Sequence, residues 1–287
     1  MIFFTKMHGL GNDYLFINCI DKANYIAKEN IPQMARFMSN RHFGIGADGI
    51  ILINKSQIAD FKMNIYNSDG SEAQMCGNGI RCFAKYVYDN KFTTKQKITI
   101  ETLCGIKTAY INETNNETSE ITIEMGEPIF EAEKIPVIIE NEEDKQPIAK
   151  INIEIEGVNF ELYNISMGNP HAVTLVDNVE KINIEKIGKI IENDIHYPEK
   201  TNVEFIQILD KSTIKMRVWE RGTGETMACG TGSCAVAVIC NKLGLTRKNS
   251  KIQLKGGELK ISWDEKTNKV FMTGIATKVF EGAVEEL

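Results

Sequence analysis

Asn67-Ser-Asp-Gly-Ser-Glu72-Ala-Gln-Met-Cys76-Gly77-Asn78-Gly79 and Glu220-Arg221-Gly-Thr-Gly-Glu225-Thr-Met-Ala-Cys229-Gly230-Thr231-Gly232 are two versions of one pattern. Aligned on the cysteines, Glu72 and Glu225 each stand four residues upstream, and Asn67 and Glu220 each stand nine upstream at the end of an alternating, strand-like stretch. A helix-like apolar pattern follows both: Ile80, Phe83, Ala84 and Val87 in the first, Ala235-Val-Ala-Val-Ile239 in the second. The likeness extends outward. Gly11-Asn12-Asp13 stands ahead of Cys76 much as Gly168-Asn169-Pro170-His171 stands ahead of Cys229, and Asp48-Gly49 with Ile50–Ile53 matches Asn202-Val203 with Glu204–Ile206. Three matches in one order imply two homologous halves.

Between these motifs, residues 14–20, 50–53, 61–66, 121–125, 151–155 and 215–219 carry strand periodicity. Pro32 opens a short helix with Met34, Ala35, Phe37 and Met38 on its apolar side. The expected fold class is α/β in the mixed α+β sense: two pseudo-symmetric domains, each a curved, mainly antiparallel sheet around a central helix, with the active site in the cleft between them. The boundary is expected in the polar stretch 112–128, where residues 112–118 read as a loop, giving halves 1–126 and 127–274.

At 287 residues, 43% hydrophobic and 25% charged, the chain suits an ordinary globular protein of two domains rather than a disordered or membrane-embedded one. A net charge of −6 argues against a nucleic-acid partner, which needs clustered Lys and Arg. The acidic patch at Glu140, Glu142, Glu143 and Asp144 reads as a solvated loop. No apolar run reaches the roughly 20 residues that span a bilayer, and Met1–Gly9 has no export-signal pattern, so no membrane partner and a cytoplasmic location are expected. Seven cysteines with no C-x-x-C spacing, and four scattered histidines, offer neither a disulfide framework nor a metal site. No lysine motif for a pyridoxal group stands out, so no cofactor is expected.

A strand, a glycine-rich turn and a helix put each cysteine at a helix start, among unpaired N–H groups and the positive dipole end. That setting is expected to lower the thiol pKa toward neutrality. The N–H groups, made approachable by Gly77, Gly79, Gly230 and Gly232, can bind a carboxylate. One such turn also occurs in phosphate loops and redox sites. Two related by a pseudo-twofold axis suit inversion of a stereocentre, with a base on one face, an acid on the other, and donors where the carbanion develops. Cys76 and Cys229 are therefore the candidate acid–base pair, while Cys19, Cys82, Cys104, Cys234 and Cys240 keep the reading of small core residues. Taken alone, His171 is as easily a structural loop histidine, and Glu220 and Arg221 a surface ion pair; register with the cysteine favours function.

Together, His8-Gly-Leu-Gly-Asn12-Asp13, Asn67–Glu72, Cys76–Cys82, Gly168–His171, Glu220–Glu225 and Ala228–Gly232 resemble the bacterial diaminopimelate epimerases. The resemblance implies interconversion of LL- and meso-2,6-diaminopimelate on the route to lysine and peptidoglycan precursors, without metal or pyridoxal phosphate. It implies that Cys76 and Cys229 are the acid–base groups and that His171 and Glu220 assist them. Gly77, Asn78, Gly230 and Thr231 would cradle the reacting carboxylate. Asn12, Asn67, Asn169, Asn202 and Arg221 would hold the distal amino-acid end, where an Arg fork suits a carboxylate. It further implies that the last strand, 275–287, rejoins the first half, and that the chain is a homodimer as many members are. Where some members carry a substrate-touching Gln, this sequence has Gly49. Two rivals remain: a proline or hydroxyproline racemase, for which Arg221 and the asparagines have no purpose, and a redox sensor that switches through the two cysteines.

Overall fold

The structure, a computed structural model, describes residues 1–21, 26–114, 117–145 and 147–285. The chain divides into two compact units, Met1–Glu124 with Thr273–Leu287, and Met125–Met272.

The first unit holds β1 (Ile2–Gly9), β2 (Asn12–Asn18), α1 (Ile31–Ser39), β3 (Gly49–Asn54), β4 (Phe61–Asn67), the stub β5 (Glu72–Ala73), α2 (Gly77–Asp89), β6 (Lys97–Thr102), β7 (Gly105–Thr114) and β8 (Glu117–Gly126). The second holds β9 (Lys150–Ile155), β10 (Val158–Ser166), β11 (Pro170–Leu175), α3 (Ile184–Glu192), β12 (Asn202–Asp210), β13 (Thr213–Glu220), the stub β14 (Gly224–Glu225), α4 (Gly230–Lys242), β15 (Asn249–Leu254), β16 (Gly257–Asp264) and β17 (Lys269–Gly274). The last strand, β18 (Thr277–Val284), pairs antiparallel with β1 of the first unit.

The duplication seen in the sequence is a duplication of topology. In the first unit β1–β2 is antiparallel, β2–β3 parallel, β3–β4 antiparallel, β4–β6 parallel and β6–β7 antiparallel. In the second, β10–β11, β11–β12, β12–β13, β13–β15 and β15–β16 repeat that order. In both, a helix bridges the first parallel pair and a second helix the other, since a parallel pair needs a long crossover. Register agrees as well: Tyr14 faces Gly49 across the first parallel pair, as His171 faces Asn202 across its counterpart.

Both second helices are core elements. In α2, Ile80, Phe83, Ala84 and Val87 are buried, and in α4 every residue from Gly232 to Cys240 is. A helix apolar all round, as α4 is, has no solvated face and must sit inside its sheet, whereas α2 is buried without a break only from Asn78 to Ala84.

Three local expectations change. Residues 112–114 and 117–118 are strand in the β7–β8 hairpin rather than loop, because Ile111↔Ile121 and Ala109↔Ile123 set a register that carries the pairing outward; Asn115 and Asn116 lie outside the described residues. The acidic stretch forms a 3-10 turn at Glu142–Lys145. Cys104 is exposed in the β6–β7 turn and Cys19 half-buried, so neither is a core thiol. No helix among the described residues is long and apolar enough to cross a membrane.

Candidate active site

Each cysteine is the N-cap of its helix, with extended backbone at Cys76 (φ −140°, ψ 114°) and Cys229 (φ −119°, ψ 116°). Cys76 Sγ accepts from Gly79 N at 3.3 Å, and Cys229 Sγ from Gly232 N at 3.4 Å. Ser, Thr, Asp or Asn caps a helix better, by about 1 kcal/mol over a residue that caps poorly. A thiol at the cap of both helices therefore gives up stability twice in the same way, which a purely structural role leaves unexplained.

In the first unit, Cys76 Sγ donates to Asn12 Oδ1 at 3.2 Å, and Asn12 Nδ2 donates to Asp48 Oδ2 at 2.6 Å. Asp48 also accepts from Asp13 N and from Arg41 Nη2. Burial works against the Asp13 carboxylate, but Arg41 and Lys6 outweigh it and hold its pKa below the usual value. The Tyr14 hydroxyl borders the Cys76 thiol; burial, then Cys76 itself, pushes that phenol well above its ordinary value. Arg81, fully buried, donates to Asn78 Oδ1 (2.9 Å), Gly77 O (3.2 Å) and Ile275 O (3.4 Å), stapling the start of α2 to the residues before β18. Asn67 ends β4, its amide bonded to Ser71 Oγ at 3.0 Å.

In the second unit, Cys229 lies 3.5 Å from Thr231 Oγ1. The Glu220 carboxylate, at the end of β13, accepts from Thr226 Oγ1 and hydrogen-bonds the Cys229 thiol. Burial raises the Glu220 pKa above that of an ordinary carboxylate, against the pull of Thr226. His171 is fully buried, its Nδ1 2.7 Å from Glu204 Oε1 and its Nε2 3.1 Å from Asn169 Oδ1. Asn202 ties three segments together: Nδ2 donates to Pro170 O (2.7 Å) and Oδ1 accepts from Arg221 N (3.0 Å). Arg221 is exposed, one N–H on Glu199 O. Behind it, buried Glu192 accepts from Trp219 Nε1 (2.7 Å) and Gly222 N (2.8 Å), pinning the turn that presents Glu220 and Arg221.

Within their units, then, Asn12 meets Cys76; Glu220 and Thr231 meet Cys229; Asn169 meets His171; and Asn202 meets the Arg221 backbone. Sequence reasoning missed Tyr14, Asp48, Arg41, Glu192 and Glu204. Tyr14 was within reach of the repeat, since it follows Asn12 by two residues as His171 follows Asn169.

The expected lowering of the thiol pKa fails at Cys229. Burial first, then the Glu220 and Glu204 carboxylates, push it well above 9.0, against the Thr231 hydroxyl and the Gly232 N–H. A helix start favours an anion by about 0.3–1 kcal/mol at the surface, too little to offset desolvation with two carboxylates close by.

Three further thiols shift the same way. Burial raises Cys19 to about 11 and Cys82 and Cys240 to about 12 from 9.0. The folded chain keeps these protons at a pH where the unfolded chain has lost them. Their contribution is fully present below pH 9 and is lost as pH rises from 9 toward 12. Urea midpoints should therefore fall steadily across that range, and Cys82→Ala with Cys240→Ala should flatten the fall; an unchanged slope in the double variant would rule these thiols out as its source.

A doubled α/β design carries a cysteine-capped helix in each half, and the curated relatives that the chain matches over nearly its full length are epimerases, a class of isomerase. Its fold matches a phenazine biosynthesis protein of Bacillus anthracis (TM-score 0.70, 18% identity, 99% of both chains) and a probable proline racemase of Agrobacterium radiobacter (TM-score 0.68, 14% identity, 99% of this chain and 93% of that one). The chain belongs to the diaminopimelate epimerase family, whose model matches residues 4–131 and 163–279. Diaminopimelate epimerases of Methanococcus maripaludis and Acetivibrio thermocellus are 50% and 49% identical over 282 residues, covering 98% of this chain and 99% and 98% of theirs.

Proposed function

We propose that this chain interconverts LL- and meso-2,6-diaminopimelate by two-base proton transfer, supplying lysine and peptidoglycan precursors in the cytoplasm. The observation that carries the reading is the pair of thiol N-caps, repeated at equivalent places in two topologically equivalent units of a family member.

One thiolate removes the α-proton while the other cysteine, as thiol, delivers a proton to the opposite face; the roles swap in reverse. Cys229, its proton retained by burial and two carboxylates, is poised in the resting state as the acid. In this reading the charge that develops on the carbanion and its carboxylate is met by backbone donors at Gly77, Asn78, Gly230 and Thr231. Such fixed donors stabilise a transition state without reorganisation. Glu220 holds the Cys229 proton, and His171 stands ready beside Asn169. Asn12, Asn67, Asn169, Asn202 and Arg221 hold the distal, unreacting end, with the Arg fork on its carboxylate. No metal or cofactor enters this scheme. A homodimer suits the apolar exposure of Val279 and Phe280 on β18.

The test is turnover in deuterated water, followed by NMR at the α-carbon. Starting from the LL isomer, early meso product should carry solvent deuterium while recovered LL substrate stays protonated, because different groups deliver and remove the proton. Product formed without deuterium, or exchange seen with proline and not with diaminopimelate, would overturn the assignment.

A further inference from the structure

We propose that Glu204 is a positioning residue, whose wholly buried carboxylate fixes the His171 ring through Nδ1 and stands under the Cys229 turn where the Cys76 turn rests on Ile51. This deepens the epimerase reading and rests on it.

Glu204 lies in β12 with its side chain wholly buried, as is that of His171. Only Oε1 is satisfied, by His171 Nδ1 at 2.7 Å; Oε2 has no hydrogen-bond partner among the described residues. A carboxylate removed from water with one oxygen unpaired is costly, so the pairing with His171 must hold it there. In return the carboxylate accepts from Nδ1–H, which orients the ring and leaves Nε2 as the edge beside Asn169. A buried carboxylate that orients an imidazole is a recurring device in acid–base sites.

The glycine of the second cysteine turn is shaped to this group. A Cβ at Gly232 would stand 2.5 Å from Glu204 Oε1, so any larger residue would drive the carboxylate off the ring. In the first unit, a Cβ at the equivalent Gly79 meets Ile51 Cδ1 at 2.8 Å instead. Ile51 precedes Gly79 by the same interval that separates Glu204 from Gly232, and the parallel pairings put Phe16↔Ile51 where Val173↔Glu204 stands. Under one thiol turn the repeat thus places an isoleucine, under the other an ionisable group. At the ring position, Tyr14 borders Cys76 where His171 pairs with Glu204. The groups facing Glu204 are His171 from β11, Cys229 at the start of α4, Glu220 at the end of β13, and Tyr197 ahead of β12. Glu204 also helps keep the Cys229 proton in place. The two halves of the site are therefore not interchangeable tools: the second holds a buried carboxylate–imidazole pair beneath its thiol turn, where the first holds Ile51.

Glu204→Gln keeps the size and removes the charge. Two readouts decide. In nitrogen-15 histidine spectra of the substrate-free protein, His171 should show a single tautomer with the proton on Nδ1 in wild type, and a mixture of Nδ1–H and Nε2–H forms in the variant. In turnover, kcat should fall on the order of 10- to 100-fold, as when the partner that orients a working imidazole is lost, with KM within about three-fold and the alkaline limb of the kcat profile moved to lower pH. In a His171→Gln background, adding Glu204→Gln should cost less than about two-fold more, since the carboxylate acts through the ring. Should Glu204→Gln fail to fold, Glu204→Asp is measured the same way and should give an intermediate kcat with Nδ1 still protonated. An unaltered His171 tautomer in the variant, or losses that multiply in the double variant, would overturn the proposal. The spectra need no substrate, so a failure of the epimerase reading would appear in turnover alone and leave this inference separately decided.

Discussion

Cys76→Ala and Cys229→Ala should each abolish epimerisation, with turnover falling by more than about 10³-fold, within the range that a positioned acid or base contributes. The two losses should differ in kind. With one thiol missing, the surviving cysteine can still exchange the α-proton of whichever isomer presents its hydrogen to that side. Each variant should therefore wash deuterium into one isomer and not the other, and the two variants should show opposite preferences. The folded state should survive in both, since the alanine removes a weak cap and its bond from Gly79 N or Gly232 N. Deuterium uptake at the α-carbon of each isomer, measured with wild type and both variants, checks this. Turnover retained in either variant would defeat the two-base assignment. Cys82→Ala is the control: that thiol is buried inside α2 and should leave most of the activity in place.

Gly49→Gln should destabilise the protein rather than add a substrate contact. Gly49 opens β3, between Tyr14 of β2 and Asn67 of β4. A Cβ built there stands 2.2 Å from the Tyr66 carbonyl oxygen and 3.1 Å from the Tyr14 ring. The first obstacle is backbone inside a paired strand and cannot swing aside, so β3 or β4 must shift. Overpacking of this kind costs about 1–3 kcal/mol, which for a chain of this size lowers Tm by roughly 2–4 °C per kcal/mol. The strain falls beside Asp48, which holds Asn12 against Cys76, so kcat should fall as well. Thermal unfolding followed by circular dichroism is the check; a Tm within a degree of wild type would show that the strand gives way more readily than its pairing suggests.

What was legible in the sequence was whatever repeats or alternates locally. The two Cys-Gly-x-Gly turns were visible as turns because strand alternation stops at Asn67 and Glu220 and helical periodicity starts after each cysteine, and both cysteines do cap their helices. The parallel order of Asn12, Asp48 and Asn67 with Asn169, Asn202 and Glu220 exposed the duplication, and the strand pairings reproduce it. Residues 112–114 and 117–118 were misread because polar strand ends carry no apolar alternation; the pairing of Ile111 with Ile121 decides them from further in.

The chain's own order of residues determined that there are two halves, that each presents a cysteine at a helix start, and which family it joins. Tertiary structure alone decided the electrostatics of those cysteines. Glu204 and His171 stand in strands joined through a long crossover, and Glu220 reaches Cys229 from a third strand. A thiol's proton affinity depends on how much water and how many charges surround it in space, and local sequence shows only the helix dipole. The dipole is the weaker influence, so the expected lowering at Cys229 became a rise once folding buried it among carboxylates.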